Sequence, residues 1–388
     1  MKWNSIRAKV LISLVCCLIV GAVSTLVLMR YSFEQNSQVL GTEAVTSAQT
    51  LFAISESNGI SKMSTASEAI AANPQIQDAL AAKDRPRLLA LTAPLFEQFK
   101  NEGITNWIFH TAEPDMSVFL RLHNPAKFGD HLNRSIDKEV VRTHLMIVGA
   151  ELGKAGYVLR TIAPVTNSHD VVVGYVELGE DISLLIHQMK DQTGNDFGLL
   201  LNKKFVDRQF WAESSAKAQR RDNWDDNPHS VLVDRTTDAN NITQFDGDLA
   251  SLPAEGKPLE RIQQGKSVFV RGTFPVQNME GENVGAIFVV RDVSAFYQSM
   301  RRTQYILGSV IVAALAVGTF LVMLMLNHFL FRRLEHLRAE AVRTVGGDYE
   351  TAIKVRSDDE VGHIESLFEQ FRRLFVHALS NVPELQGK

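Results

Sequence analysis

Tyr157-Val-Leu-Arg-Thr-Ile-Ala-Pro-Val165 and Phe269-Val-Arg-Gly-Thr-Phe-Pro-Val276 decide how this chain is read. Each is a version of the other. Arg160 matches Arg271, Pro164 matches Pro275, Gly174 matches Gly285 and Asp181 matches Asp292, all 111 residues apart. One offset held across a hairpin turn marks a repeat, so two similar α/β modules stand in tandem, over 105–185 and 195–295. Each closes with a strand hairpin and an Asp-initiated turn or helix. Arg160, Arg271, Asp181 and Asp292 recur and therefore read as parts of the fold. Glu177 does not recur, because Phe288 holds its place in the second module. That asymmetry suggests a role peculiar to the first module.

Outward from the repeat, short apolar and aromatic runs predict strands at 105–110, 118–123 and 171–179 as well as at 157–165. An excursion over 124–154 carries a helical patch near 138–148. Upstream, Val39, Leu51, Ile54, Ile60, Met63 and Ile70 recur at helical spacing and predict one long helix over 31–71. Asn73-Pro74 ends it, since the residue before proline disfavours helix. Shorter helices follow near 75–82 and 86–101.

Two blocks carry no charge, Val10 to Met29 and Tyr305 to Leu326. At about 1.5 Å per residue each reaches roughly 30 Å, the thickness of a bilayer core. The first is too long for a signal-peptide core and lacks a small-x-small cleavage site, so an anchor is favoured. Ser13-Leu14-Val15 fits a lipobox poorly, and Cys16 and Cys17 read as unpaired membrane cysteines. Lys2, Arg7 and Lys9 before the first block, and Arg332, Arg333 and Arg338 after the second, put both termini in the cytoplasm. The expected order is a cytoplasmic N-terminus (1–9), a span (10–29), an outer region (30–303), a second span (304–328), a helical relay (329–380) and a tail (381–388). The outer region has no cysteine and must stand without disulfides. A net charge of −4 over 388 residues gives no reason to expect nucleic acid as a partner.

Alternation along 118–123 puts Phe119, Arg121 and His123 on one face and Val118, Leu120 and Leu122 on the other. The mixed face, roofed by the excursion, is a candidate pocket. Arg121 there can grip a carboxylate with two parallel hydrogen bonds. Alternatively, Arg121 and His123 tie down the loop through Asp130 or a backbone carbonyl. Trp107 lines the cavity or fills the core, and Phe128 is a further candidate wall. Glu177 would meet a ligand charge of opposite sign. The expected ligand is a small anion bound through Arg121, with a zwitterion as the other choice. His110, His123, Asp130 and His131 match no tight metal motif, so no metal is expected. No Cys-x-x-Cys-His, phosphate loop or nucleophile elbow occurs, and no cofactor or enzyme activity is expected. The sequon at Asn241 carries little weight.

Phe119-Leu-Arg-Leu-His-Asn-Pro-Ala-Lys-Phe-Gly-Asp-His-Leu132, Arg160-Thr-Ile-Ala-Pro-Val165 and Val173-Gly-Tyr-Val-Glu-Leu-Gly179 resemble the double Cache sensors of bacteria, in the Cache 3-like subgroup found on chemoreceptors, histidine kinases and diguanylate cyclases. The resemblance implies an α+β fold: a long stalk helix, two PAS-like antiparallel sheets in tandem, two transmembrane helices and a helical bundle. Residues 329–380 resemble a HAMP domain. Leu334, Leu337, Ala341 and Val345 form one stripe, Gly347-Asp348 ends the helix, and Ile353 and Val355 lie in an extended connector. Asp359-Glu360-Val361-Gly362 starts a second helix with acid at its positive dipole end. Val361, Ile364, Phe368, Phe371 and Phe375 step 3, 4, 3 and 4, a heptad seam that needs a second chain. A homodimer in the inner membrane is implied, with the sensor region periplasmic or extracellular. The usual proline at the membrane exit is absent, with Arg332-Arg333-Leu334 in its place, so helix could continue unbroken. Neither His363 nor His377 precedes a Glu-x-x-x-Pro pattern. The leading expectation is a receptor signalling to a separate cytoplasmic output protein, such as a kinase, cyclase or chemotaxis protein. The alternatives are a receptor that lost its effector and a membrane-anchored enzyme or solute-binding protein.

Overall fold

The computed structural model describes residues 6–112, 114, 116–153, 156–217, 219–238 and 247–380. The sequon at Asn241 and the 381–388 tail lie outside them. Two compact units emerge, one of Glu34–Gln298 and one of Met1–Phe33 with Ser299–Lys388.

In the first of these units, the C-terminal part of α1 (Ile6–Ala71) is the stalk, followed by α2 (Pro74–Ala81) and α3 (Arg85–Asn101). Asn73 caps α2 by accepting from the Gln75 and Ile76 N–H groups, which is why the helical run breaks there. The first module contains β1 (Ile104–Thr111), β2 (Val118–Arg121), α4 (Ser135–Thr143), β3 (Ile147–Gly153), β4 (Gly156–Thr166), β5 (Val172–Asp181) and α5 (Ile182–Thr193). The second contains β6 (Asp196–Asn202), α6 (Arg208–Lys217), β7 (Ser230–Arg235), β8 (Lys257–Gln264), β9 (Ser267–Gln277) and β10 (Asn283–Asp292). The five-stranded sheets run β2-β1-β5-β4-β3 and β7-β6-β10-β9-β8, the same order twice.

The sequence repeat is a repeat of register. Arg160 pairs across the ladder with Gly179, and Arg271 pairs with Val290, the matching position. Pro164 faces Tyr175, and Pro275 faces Ala286. The recurring aspartates are caps: Asp181 accepts from the Ser183 N–H at 2.9 Å and Asp292 from the Ser294 N–H at 2.8 Å. Gly174 and Gly285 share a steric reason. A Cβ at 174 would stand 2.6 Å from the His110 carbonyl oxygen, and one at 285 would stand 2.4 Å from that of Leu200.

Each sheet turns one face to the stalk. Ser67 Oγ and Thr161 Oγ1 are 2.9 Å apart, and the Phe52 and Phe274 rings lie 5.9 Å apart. In the first module Trp107, Leu159 and Leu178 are buried on that face, whereas Ile162 and Tyr175 pack under Ile136 and Val140 of α4 on the other. The patch expected as helix over 138–148 is instead helix over Ser135–Thr143 and an edge strand from Ile147. His144, at φ 52°, breaks the helix early.

In the other unit, α7 (Ser294–Met325) runs into a π-helical turn at Leu326–Phe331 and then α8 (Arg332–Val345). Helix thus continues without proline, but not as plain α-helix. An extended connector leads to α9 (Glu360–Ser380). Glu369, on the inner face of α9, accepts from the Ile353 N–H at 2.8 Å. Ile364, Phe368, Phe371 and Phe375 point outward and are exposed in the single chain. Helices containing Ile12–Ala71 and Ser294–Val345 are long and apolar enough to cross a membrane.

The crowded glycines give a test of the repeat. Gly174→Ala and Gly285→Ala should each destabilise the Glu34–Gln298 unit by about 1–3 kcal/mol, the usual cost of overpacking. Urea unfolding of that fragment checks it, and near-neutral effects at both sites would contradict the shared register.

Candidate ligand-binding site

Under α4, on the sheet face away from the stalk, the first module buries a cluster of charged groups. At its centre is Glu177 of β5, fully buried. Its Oε1 accepts from Arg134 Nη1 at 2.9 Å and from Arg160 Nη1 at 2.5 Å. Its Oε2 accepts from Arg134 Nη2 at 2.7 Å and from His110 Nε2 at 2.8 Å. Arg160 comes from β4, His110 from β1 just past a register slip between Phe109 and His110, and Arg134 from the residue that enters α4. Such bulges re-aim side chains, and this one lies at the cluster.

Arg134 also holds Asp137, donating from Nε to Oδ2 and from Nη2 to Oδ1, both at 2.8 Å. Glu151 of β3 accepts from the Ile136 N–H at 3.0 Å. Burial pushes the Glu177 carboxyl up, but Arg134 and Arg160 outweigh it and hold it well below the usual carboxylate range. Glu151 shifts the other way, raised by burial. Three carboxyl groups thus face two guanidinium groups. Three buried atoms here, His110 Nδ1, Glu151 Oε2 and Arg160 Nε, make no hydrogen bond. Donor atoms of His110, Asp137 and Glu177 all lie within 4.8 Å of one another, a set that could hold a cation.

The second module keeps the register and not the charge. Its counterparts of His110 and Glu177 are Leu200 and Phe288, packed with Leu249, Leu252 and Val290 in an apolar core. Its Arg271 donates to the Glu260 carbonyl at 3.1 Å.

The other expected site residues are dispersed. Arg121 lies on the predicted face, but its guanidinium grips Asp130 at 2.6 and 2.8 Å and donates to the Lys127 carbonyl at 3.0 Å. The Arg121 hydrogen bond brings the Asp130 carboxyl down to about 2. Arg121 therefore fastens the loop, the second of the two roles expected for it. Phe128 is exposed and carries the Arg85 guanidinium 3.7 Å from its ring centroid. His123 is exposed. Phe119 lines a separate cleft with Leu80, Thr111 and Val173. Trp107 stacks on Phe99 at 5.3 Å on the stalk side of the sheet. Arg160 recurs as a fold residue yet bonds Glu177, so it serves both roles. Sequence spacing sets His110 beside His123, Asp130 and His131, whereas its partners lie far away in sequence. Arg134 and Asp137 were missed. Their one local signal is a carboxylate three residues after a helix entry, where Asp137 Oδ2 accepts the Arg134 N–H at 3.0 Å.

A family model described as the double sensory domain of two-component sensor kinases matches residues 58–297. Among solved structures, the chain is similar to the periplasmic domain of Vibrio cholerae LuxQ, at 12% identity over 66% of this chain and 99% of that one, TM-score 0.39. It is also similar to the sensory domain of the Campylobacter jejuni chemoreceptor Tlp3 with isoleucine bound (11%, 68% and 96%, TM-score 0.40). A third is the ligand-binding domain of the Pseudomonas fluorescens chemoreceptor CtaA in complex with L-serine (11%, 68% and 97%, TM-score 0.30). No curated protein matches the chain.

The depressed Glu177 carboxyl fixes a sign. Its stabilising contribution is complete above the ordinary value of 4.5 and is lost as pH falls below that toward the lower folded value. Glu151 acts oppositely, weakening the fold as pH rises through its raised value. Glu177→Gln should cost about 3–5 kcal/mol at pH 7, because it leaves the buried Arg160 guanidinium without its carboxylate. The variant should also lose part of the acid dependence below pH 4.5, with the Asp130 contribution common to both proteins. Urea titrations of both proteins between pH 3 and 8 provide the measurement.

Proposed function

The chain belongs to the double Cache family of sensor-kinase sensory domains, and on that premise we propose that it is a receptor of the bacterial cytoplasmic membrane that binds a small ligand in its first module. One observation carries the reading. Matched positions of two like-registered sheets hold a buried charge cluster in the first module and aliphatic and aromatic packing in the second. Stability alone favours the apolar solution, since desolvating ions costs more than their pairing commonly returns. A cluster kept where hydrocarbon would serve is best explained by a ligand that exchanges with its ion pairs.

The ligand's character follows from charge. Arg121, the expected clamp for an anion, already spends its guanidinium on Asp130. The cluster has one carboxyl group more than it has guanidinium groups, which favours a ligand bringing a positive group. We therefore place the zwitterion ahead of the simple anion. The two apolar helices serve as membrane spans, with the sensor unit outside and both termini in the cytoplasm. Residues 329–380 act as a HAMP relay to a cytoplasmic output protein. The outward seam of Ile364, Phe368, Phe371 and Phe375 joins two copies in a parallel bundle. This is a receptor's equipment rather than an enzyme's.

Thermal-shift screening of the Glu34–Gln298 fragment against amino acids, amines and organic acids tests the ligand. Zwitterions should stabilise it, Glu151→Gln should weaken that response about tenfold, a loss of one charge-assisted contact, and Arg121→Ala should leave it intact. A response lost only through second-module substitutions would move the site there. Reporter fusions after residue 200 should be active outside the cytoplasm. Cysteines at Ile364 or Phe371 should crosslink between chains in membranes, and crosslinking restricted to the opposite helix face would rule out the seam.

A further inference from the structure

Within the cluster, Arg134 differs from its neighbours. His110, Arg160 and Glu177 stand on sheet strands, whereas Arg134 lies on the chain entering α4. Its side chain keeps 17% exposure, against 9% for Arg160 and none for Glu177. Its side chain bridges α4 to the sheet, through Asp137 on one side and Glu177 on the other. Were it to swing out, Asp137, Glu177 and Glu151 would face Arg160 alone, so the place between Asp137 and Glu177 must hold a cation from some source. His110 Nδ1, Arg160 Nε and Glu151 Oε2 are buried in the cluster without a hydrogen bond, and Glu151 Oε2 lies 3.9 Å from Arg134 Nε.

We propose that Arg134 is a tethered stand-in for a ligand cation, which displaces it from between Asp137 and Glu177. This rests on the first module being the ligand site. The cation is either an organic ammonium or guanidinium group, or a divalent metal ion that gains His110 as a third donor; nitrogen with two carboxylates suits zinc.

Displacement has a route to the second module. Ser135, next to Arg134, hydrogen-bonds Glu280 in the β9–β10 turn, and the Tyr157 hydroxyl donates to the Gln277 carbonyl. Met279 of that turn lies against Gly149, where a Cβ would come within 2.6 Å of its Cγ. The turn continues through β10 into Ser294, the first residue of α7. Moving the entry to α4 therefore pulls directly on the hairpin that ends at α7.

The test uses the full chain in nanodiscs, with methylguanidinium, putrescine, Zn²⁺ and succinate as probes, measured by calorimetry on wild type and Arg134→Gln. Removing a tethered competitor should tighten at least one cationic probe by about tenfold or more, as expected when the competent state is seldom free. Asp137→Asn in the same background should abolish the gain. A gain for Zn²⁺ that His110→Gln removes identifies a metal seat, and a gain for methylguanidinium or putrescine that survives His110→Gln identifies an organic cation. If Arg134→Gln does not fold, Arg134→Lys, which cannot make the forked contacts, should show a smaller gain of the same kind. The proposal fails if the folded variant binds every cation no better than wild type, or if only succinate gains. A zwitterion response in the thermal-shift screen that depends on Glu151 and weakens in Arg134→Gln would leave the first-module site standing and remove only the stand-in. Loss of all cluster-dependent binding would remove both.

Discussion

A carboxylate with no exposure to water must have its charge answered inside the protein, and Glu177 imposes that demand on the first module. Its answer comes from β1, β4 and the entry to α4 at once, through His110, Arg160 and Arg134. These are an inner strand with a bulge, the strand on the far side of β5, and the residue that enters α4. The bond to Arg134 fixes where α4 begins, and α4 covers Ile162 and Tyr175. One buried charge therefore sets both the electrostatics of the site and the position of its roof.

The second module is an internal control. It has the same strand order, the same ladder partners for its arginine and proline, and the same cap at the end of its last hairpin. Its matching face is filled by Leu200, Phe288 and Val290. Backbone register and side-chain filling are thus independent variables here. The fold needs the glycines at 174 and 285 and the caps at 181 and 292, and it tolerates either chemistry between them.

Much of this is legible in the sequence. The 111-residue offset depends on positions constrained by backbone geometry, and such constraints survive when faces diverge, so the tandem sheets could be read. The Asn73-Pro74 break was legible because capping is local. Glu177 stood out by its lack of a repeat partner. The rest of the cluster was not legible, since His110 and Glu177 are 67 residues apart, Arg134 and Glu177 are 43 apart, and no local period joins them. Alternation placed Arg121 on the correct face but could not show that Asp130, nine residues on, would claim it. Trp107 went to the stalk side because Phe99 of α3 lies there.

At the π-helical turn, Leu326–Phe331, hydrogen bonds close over five residues instead of four. Such a turn absorbs one more residue than an α-helix of the same length. Angular bookkeeping therefore does not carry across it. The stripe of Leu334, Leu337 and Ala341 stands about 100° from where counting forward from Tyr305 would put it. Heptad positions before and after this point belong to separate clocks, and an alignment that slides one onto the other without a skipped residue will put the wrong side chains on the Leu334, Leu337 and Ala341 stripe.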